Sequence, residues 1–135
     1  MKLFCSYAYT GEDIAVVKKR TRLVVDTLTA HGHEVYCPLF DEVLAPFQEA
    51  NDVKVIFQRA FEAIEQQEAL VVIVSSERRS AGQLMEIGAA LSRHKPVYLM
   101  QHKTAAGSSY LPKLVTKTFI WETDAELQKQ LATID

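Results

Sequence analysis

The chain has 135 residues, 48% hydrophobic and 24% charged, which fits one domain with a single core and leaves no room for a second. Fifteen Lys+Arg against seventeen Asp+Glu give a formal charge of -2, so the overall balance exerts no pull toward nucleic acid or an anionic membrane. The apolar run at Ala69–Val74 is too short to span a bilayer, and the opening residues read as a strand rather than a signal peptide, so a cytoplasmic protein is expected.

In chain order, Leu3–Tyr7 has the apolar character of a buried strand, and Gly11-Glu12-Asp13 supplies a turn and negative charge where a helix should start. Ile14, Val17, Thr21, Val24 and Leu28 form the stripe of an amphipathic helix, closed by Gly32. Lys18, Lys19, Arg20 and Arg22 read as its solvated face, and His31 and His33, which flank Gly32, as surface cap residues rather than metal ligands. Glu34–Cys37 is a second strand, and Pro38–Asn51, with two prolines and no period, reads as a long loop and a candidate lid. Val53, Ile56, Phe57, Ala60 and Ile64 stripe a second helix, and Ala69–Val74, apolar on both faces, suits a central parallel strand. A third helix over about Ser80–Ser92, strands at Pro96–Met100 and Thr118–Trp121, and a last helix at Asp124–Leu131 complete the pattern. Trp121 reads as packing. The alternation predicts a flavodoxin-like, doubly wound α/β domain of about five parallel strands, with ligands at the carboxyl ends of the strands.

The turn after the third strand holds the densest chemistry. Ser75 to Glu86 sets two arginines, Arg78 and Arg79, several hydroxyls and Gly82 between a buried strand and a helix start, where free N–H groups favour an anion. Each residue also has a plainer role: Ser80 with Gln83 fits a capping box, and the arginines fit a solvated loop. Glu86 stands among Leu84, Met85, Ile87, Ala89 and Ala90, where a carboxylate risks desolvation. Gly82 and Gly88 flank it and suggest that something approaches the helix closely. Cys5 and Cys37 have no metal or redox spacing and read as free thiols; His102 lies on the ligand rim, and no metal or tightly held cofactor is called for.

Ser80-x-Gly82-x-x-x-Glu86-Ile87-Gly88-x-Ala90, followed by His94-Lys95-Pro96-Val97, resembles the signature of the nucleoside 2-deoxyribosyltransferases and their relatives that hydrolyse 2′-deoxynucleoside 5′-monophosphates. The resemblance implies cleavage or transfer at an N-glycosidic bond of a small-molecule nucleoside or nucleotide, with Glu86 attacking the anomeric carbon. A carboxylate suits that task because it both neutralises an oxocarbenium-like state and bonds to it. A nucleophile is best left ionised, so hydroxyl or amide donors are expected around Glu86 to keep its pKa from rising. The resemblance also implies phosphate contacts at Ser80 and Gly82, with Ser6, Gly11, Arg78 and Arg79 as further rim candidates. It implies a homodimer in which Ser108 or Ser109 of a second copy reaches the same phosphate. The family's strand-one tyrosine, which orients the glutamate, has only Tyr7 or Tyr9 as a substitute here. Its helix aspartate falls on Ala60 by hydrophobic pattern or on Glu62 by ungapped spacing.

Phe4-Cys5-Ser6-Tyr7, Ala63-Ile64, Val71–Ser75 and the Ser80-to-Glu86 spacing also resemble a TIR domain, in which a glutamate on the equivalent helix cleaves NAD. Gly82-Gln83 stands where that family has an aromatic-cysteine pair. A third possibility is a nucleotide-binding or interaction module that has lost turnover, consistent with a missing tyrosine and a missing acid.

Overall fold

The computed structural model describes residues 1–8, 12–77, 80–107 and 110–135. Five parallel strands, β1 (Lys2–Tyr7), β2 (Glu34–Tyr36), β3 (Ala69–Val74), β4 (Val97–His102) and β5 (Lys117–Trp121), lie in the order β2-β1-β3-β4-β5. The helices are α1 (Ile14–Ala30), α2 (Ala45–Glu49), α3 (Val53–Gln66), α4 (Ala81–Ser92) and α5 (Asp124–Leu131). The chain leaves β1 in one direction, to β2, and returns on its other side as β3. The strand order therefore reverses between β1 and β3, the place where this architecture opens a crevice beyond the strand ends.

Alternation along the strands sorts the core into two layers. Leu3, Cys5 and Tyr7 of β1 pack with Val71, Ile73, Met100 and Trp121 against Val17, Val24 and Leu28 of α1 and Leu127 and Leu131 of α5. Phe4, Leu70, Val72, Val97 and Leu99 pack against Ala60, Ala63 and Ile64 of α3 and Ile87 and Ala90 of α4. The first five residues of β3 are buried, as a strand covered on both faces requires.

The helix ends follow local chemistry. Asp13 caps α1 by accepting from the Ala15 N–H at 2.9 Å. At its other end Gly32 takes φ +89°, with the His33 N–H on the Leu28 carbonyl and the Gly32 N–H on that of Thr29, a Schellman closure; His33 is not the surface residue expected but is buried, its ring between the Met1 amino group and the Ile134 carbonyl, each at 2.9 Å. The same closure ends α4, but there His94 occupies the left-handed position at φ +56°.

The Pro38–Asn51 segment departs from the expected loop. It winds into 3-10 turns at Pro38–Phe40 and Glu42–Leu44 and then α2. Leu44 is fully buried beneath it, and Asp41 is gripped by the Tyr36 hydroxyl at 2.5 Å and by Arg59 Nε at 2.5 Å. A buried leucine and an ion pair hold this segment to α3, which removes the physical basis for an unattached lid. Arg20 is a second departure. It leaves the solvated face to bond Asp124 at 2.9 Å and the Tyr7 hydroxyl at 3.2 Å, and its guanidinium lies 5.0 Å from the Trp121 ring centroid.

Candidate active site

The crevice at the β1/β3 reversal encloses about 230 Å³. Its floor is Cys5, Ser6 and Tyr7 of β1; one wall is Cys37–Leu39 with Gln48 of α2; the other comes from Ile56, Phe57 and Ala60 of α3 and from Ser80, Gly82, Gln83 and Glu86 at the start of α4. Gln83 lies in the first turn of α4 and Glu86 three residues further on, in the second, so both side chains share the face turned toward β1.

Ser6 Oγ donates to Glu86 Oε1 at 2.7 Å. Ser6 is the polar member of the α3/α4-facing side of β1, and strand alternation alone aims it at the carboxylate. Burial pushes the Glu86 carboxyl up to about 7, against the opposing pull of the Ser6 hydroxyl. One hydroxyl donor does not offset the loss of water, so the expectation of an unraised pKa is corrected.

Ser80 caps α4, its Oγ accepting from the Gln83 N–H at 3.2 Å. The reciprocal half of the capping box is absent, because the buried Gln83 side chain is used elsewhere. Its Nε2 donates to the Ile73 carbonyl at 2.9 Å and the Ser6 carbonyl at 3.3 Å, bridging β3 and β1 where they diverge. Gln83 is thus a site residue that local sequence reasoning assigned to a helix cap. On the opposite rim, Ser75 Oγ donates to Glu12 Oε1 at 2.9 Å, joining the turn after β3 to the approach to α1.

Gly82 does admit a close neighbour. A Cβ there would stand 3.1 Å from Phe57 Cζ, so the glycine lets the aromatic ring close the wall. Gly88 does not, since a Cβ there meets nothing within 4 Å; the expectation of close approach fails at this glycine.

Two expected helpers are not brought to the carboxylate. Tyr7 borders the crevice, but its side chain belongs to the α1-facing layer and its hydroxyl is bonded to Arg20 at 3.2 Å. Odd and even positions of a strand point to opposite faces, and Ser6 takes the inward place. Glu62 is exposed and does not line the crevice, whereas Ala60 is buried in its wall. The hydrophobic-pattern alignment is therefore the one the helix follows, and no acid stands at that position. Gly11, Tyr9, Arg78, Arg79, Ser108 and Ser109 lie outside the described residues. Among the described residues no three His, Cys, Asp or Glu side chains converge as a metal set, and no helix is long and apolar enough to cross a membrane.

A parallel α/β sheet whose strand order reverses beside a crevice, with a half-buried carboxylate in that crevice, defines the doubly wound class of folds, in which ligands bind beyond the carboxyl ends of the strands. Within that class the chain belongs to the nucleoside 2-deoxyribosyltransferase family, whose model matches residues 9–120. Similar folds occur in a 2-deoxyribosyltransferase from Bacillus psychrosaccharolyticus (TM-score 0.74, 19% identity, 100% of this chain and 93% of that one). They also occur in the CMP N-glycosidase BcmB of Clostridium botulinum (TM-score 0.68, 18% identity, 97% of each chain). A conserved protein from Enterococcus faecalis V583 shares the fold at TM-score 0.61 and 12% identity, over 97% of this chain and 96% of that one. Among curated proteins none matches this chain. Family and fold support glycosyl transfer or cleavage on nucleosides or nucleotides.

Proposed function

We propose that this protein cleaves or transfers the N-glycosidic bond of a 2′-deoxynucleoside or its 5′-monophosphate, with Glu86 as nucleophile. The observation that carries the reading is the placement of Glu86, half-buried in a sugar-sized crevice and held through one oxygen by Ser6. In the proposed step the carboxylate attacks the anomeric carbon as the base leaves with the bonding electron pair. The resulting glycosyl ester is then opened by water or by a second base. Ser6 replaces the family's tyrosine as the residue that orients the carboxylate.

The Ser80 hydroxyl uses a lone pair on the Gln83 N–H, so its hydrogen can still be donated to a phosphate at the α4 N-terminus. Gly82, with Arg78 and Arg79 beside it in sequence, completes the proposed anion site. Phe57, against Gly82, offers an aromatic face to a base. A second copy is proposed to bring its Ser109 loop to the phosphate. The apolar groove formed by Phe61, Met85, Gly88 and Ala89, with Met85 47% exposed, supports such an association. A reducing cytoplasm completes the reading and suits two free thiols.

Ala60 at the helix-acid position, and Tyr7 turned toward Arg20, favour one competing reading: a nucleotide-binding module without turnover. Free base release measured over deoxynucleosides, their 5′-monophosphates, ribonucleotides and NAD separates these readings. Turnover on a deoxynucleoside or its monophosphate, lost in Glu86→Gln, is expected. Binding without base release would support the module instead, and turnover confined to NAD would support the TIR-like alternative.

A further inference from the structure

Two side chains of the crevice have no part in the proposed reaction. Cys5 and Cys37 both line it, and both belong to the layer of core that faces α1. The parallel register pairs Lys2 with Glu34, Leu3 with Val35 and Phe4 with Tyr36, so the next step along the two adjacent segments sets Cys5 beside Cys37. Neighbouring strands lie about 4.8 Å apart, inside the roughly 4.4–6.8 Å between Cα atoms that a disulfide accepts. Both are free thiols, Cys5 fully buried and Cys37 at 7% exposure.

We propose that Cys5 and Cys37 are an oxidisable dithiol in the wall of the crevice, closed to a disulfide by peroxides small enough to enter it. The two thiols are not equivalent. The hydrogen bond from the Cys5 thiol, and then the Leu39 and Phe40 N–H groups, hold Cys37 below the ordinary thiol value. The same pairing, and then burial, push Cys5 well above it. Cys37 is also the one of the two with any exposure, 7% against none for Cys5, so a peroxide meets it first: Cys37 is the attacking sulfur and Cys5 the resolving one.

In the first step the Cys37 thiolate attacks one peroxide oxygen, an S–O bond forms as the O–O bond breaks, and hydroxide leaves with the proton from Cys37 as water. In the second, Cys5 sulfur displaces the hydroxyl of the Cys37 sulfenic acid, an S–S bond forms, and the Cys5 proton leaves with that hydroxyl as a second water. Two thiols are oxidised, and one hydrogen peroxide is reduced to two waters. The bond would tie the start of the Pro38–Phe40 turn to the floor of the crevice beside Glu86.

Intact-mass and non-reducing peptide analysis of the folded protein, before and after hydrogen peroxide, tests this. Expected are a loss of two hydrogens, a peptide linking Cys5 to Cys37, and reversal by dithiothreitol. In Cys5→Ser, dimedone should trap a sulfenic acid on Cys37. Recovery of both cysteines unchanged, or their separate oxidation without a linked peptide, while circular dichroism shows the native fold, would overturn the proposal. This readout needs no substrate, so its result is independent of whether the protein turns over a nucleoside.

Discussion

Ser6 and Tyr7 are consecutive in β1, yet they serve two polar clusters of opposite character. On the α1 side, Tyr7, Arg20, Asp124 and Trp121 form a set in which the cation is bonded to a hydroxyl and a carboxylate and lies over an indole; His102 meets that indole edge-on at 4.7 Å. On the α4 side, Ser6 and Gln83 leave Glu86 with a hydroxyl partner and too little solvent, and its pKa rises to about 7. The first cluster pairs its cation with its own hydroxyl and carboxylate, although the buried Trp121 Nε1 has no hydrogen-bond partner among the described residues, and holds α1 and α5 to the strand ends. The second keeps a carboxylate at a cost to stability, the usual mark of a group held for chemistry.

Glu86→Gln tests this contrast most severely. Base release should fall by about a thousandfold or more, because an amide cannot form the glycosyl ester. The same substitution should stabilise the fold above neutral pH. The folded-state pKa is raised from 4.5 to about 7, so the wild type loses stability as pH climbs through that window, and the glutamine protein does not. The gain should be on the order of 3 kcal/mol at pH 8 and vanish below about pH 4, which thermal denaturation across pH can check. Equal stability of the two proteins at both pH values would mean that Glu86 is not strained.

Arg20→Ala should act in the opposite sense, costing about 2 kcal/mol in denaturant titrations through two lost hydrogen bonds and the indole contact, with little change in base release. A loss of turnover at unchanged stability would erase the distinction between the clusters. Ser6→Ala should lower base release about tenfold and move the alkaline rise of the pH–rate profile upward, since removing the donor removes what opposes burial. His94→Gly is the smallest effect, a gain of roughly 0.5 kcal/mol, because glycine adopts the left-handed closure of α4 without strain.

Local chemistry makes much of this legible in the sequence. The run Ala69–Val74 could only be a doubly covered strand, Gly32 and Asp13 marked the ends of α1, and a carboxylate amid Leu84, Met85 and Ile87 singled out Glu86. What escaped was decided by distant contacts. Gln83 obeys a cap pattern with Ser80, but carbonyls at Ser6 and Ile73, far off in the chain, take its amide instead. The Pro38–Asn51 segment lacks a helical period because it is pinned by Leu44 and Asp41 rather than by a continuous face. Tyr7 shares the parity of Leu3 and Cys5, and that alone turns its side chain to the α1 side, away from Glu86.

The proposed reaction requires a covalent bond from Glu86 to the sugar. Incubation with a deoxynucleoside carrying fluorine at C2′, which slows formation and breakdown of the glycosyl ester, followed by peptide mass mapping, tests it directly. A sugar-sized mass increase is expected on the peptide containing Glu86, absent in Glu86→Gln. An adduct on another residue, or base release from the unmodified substrate by Glu86→Gln at the wild-type rate, would contradict it.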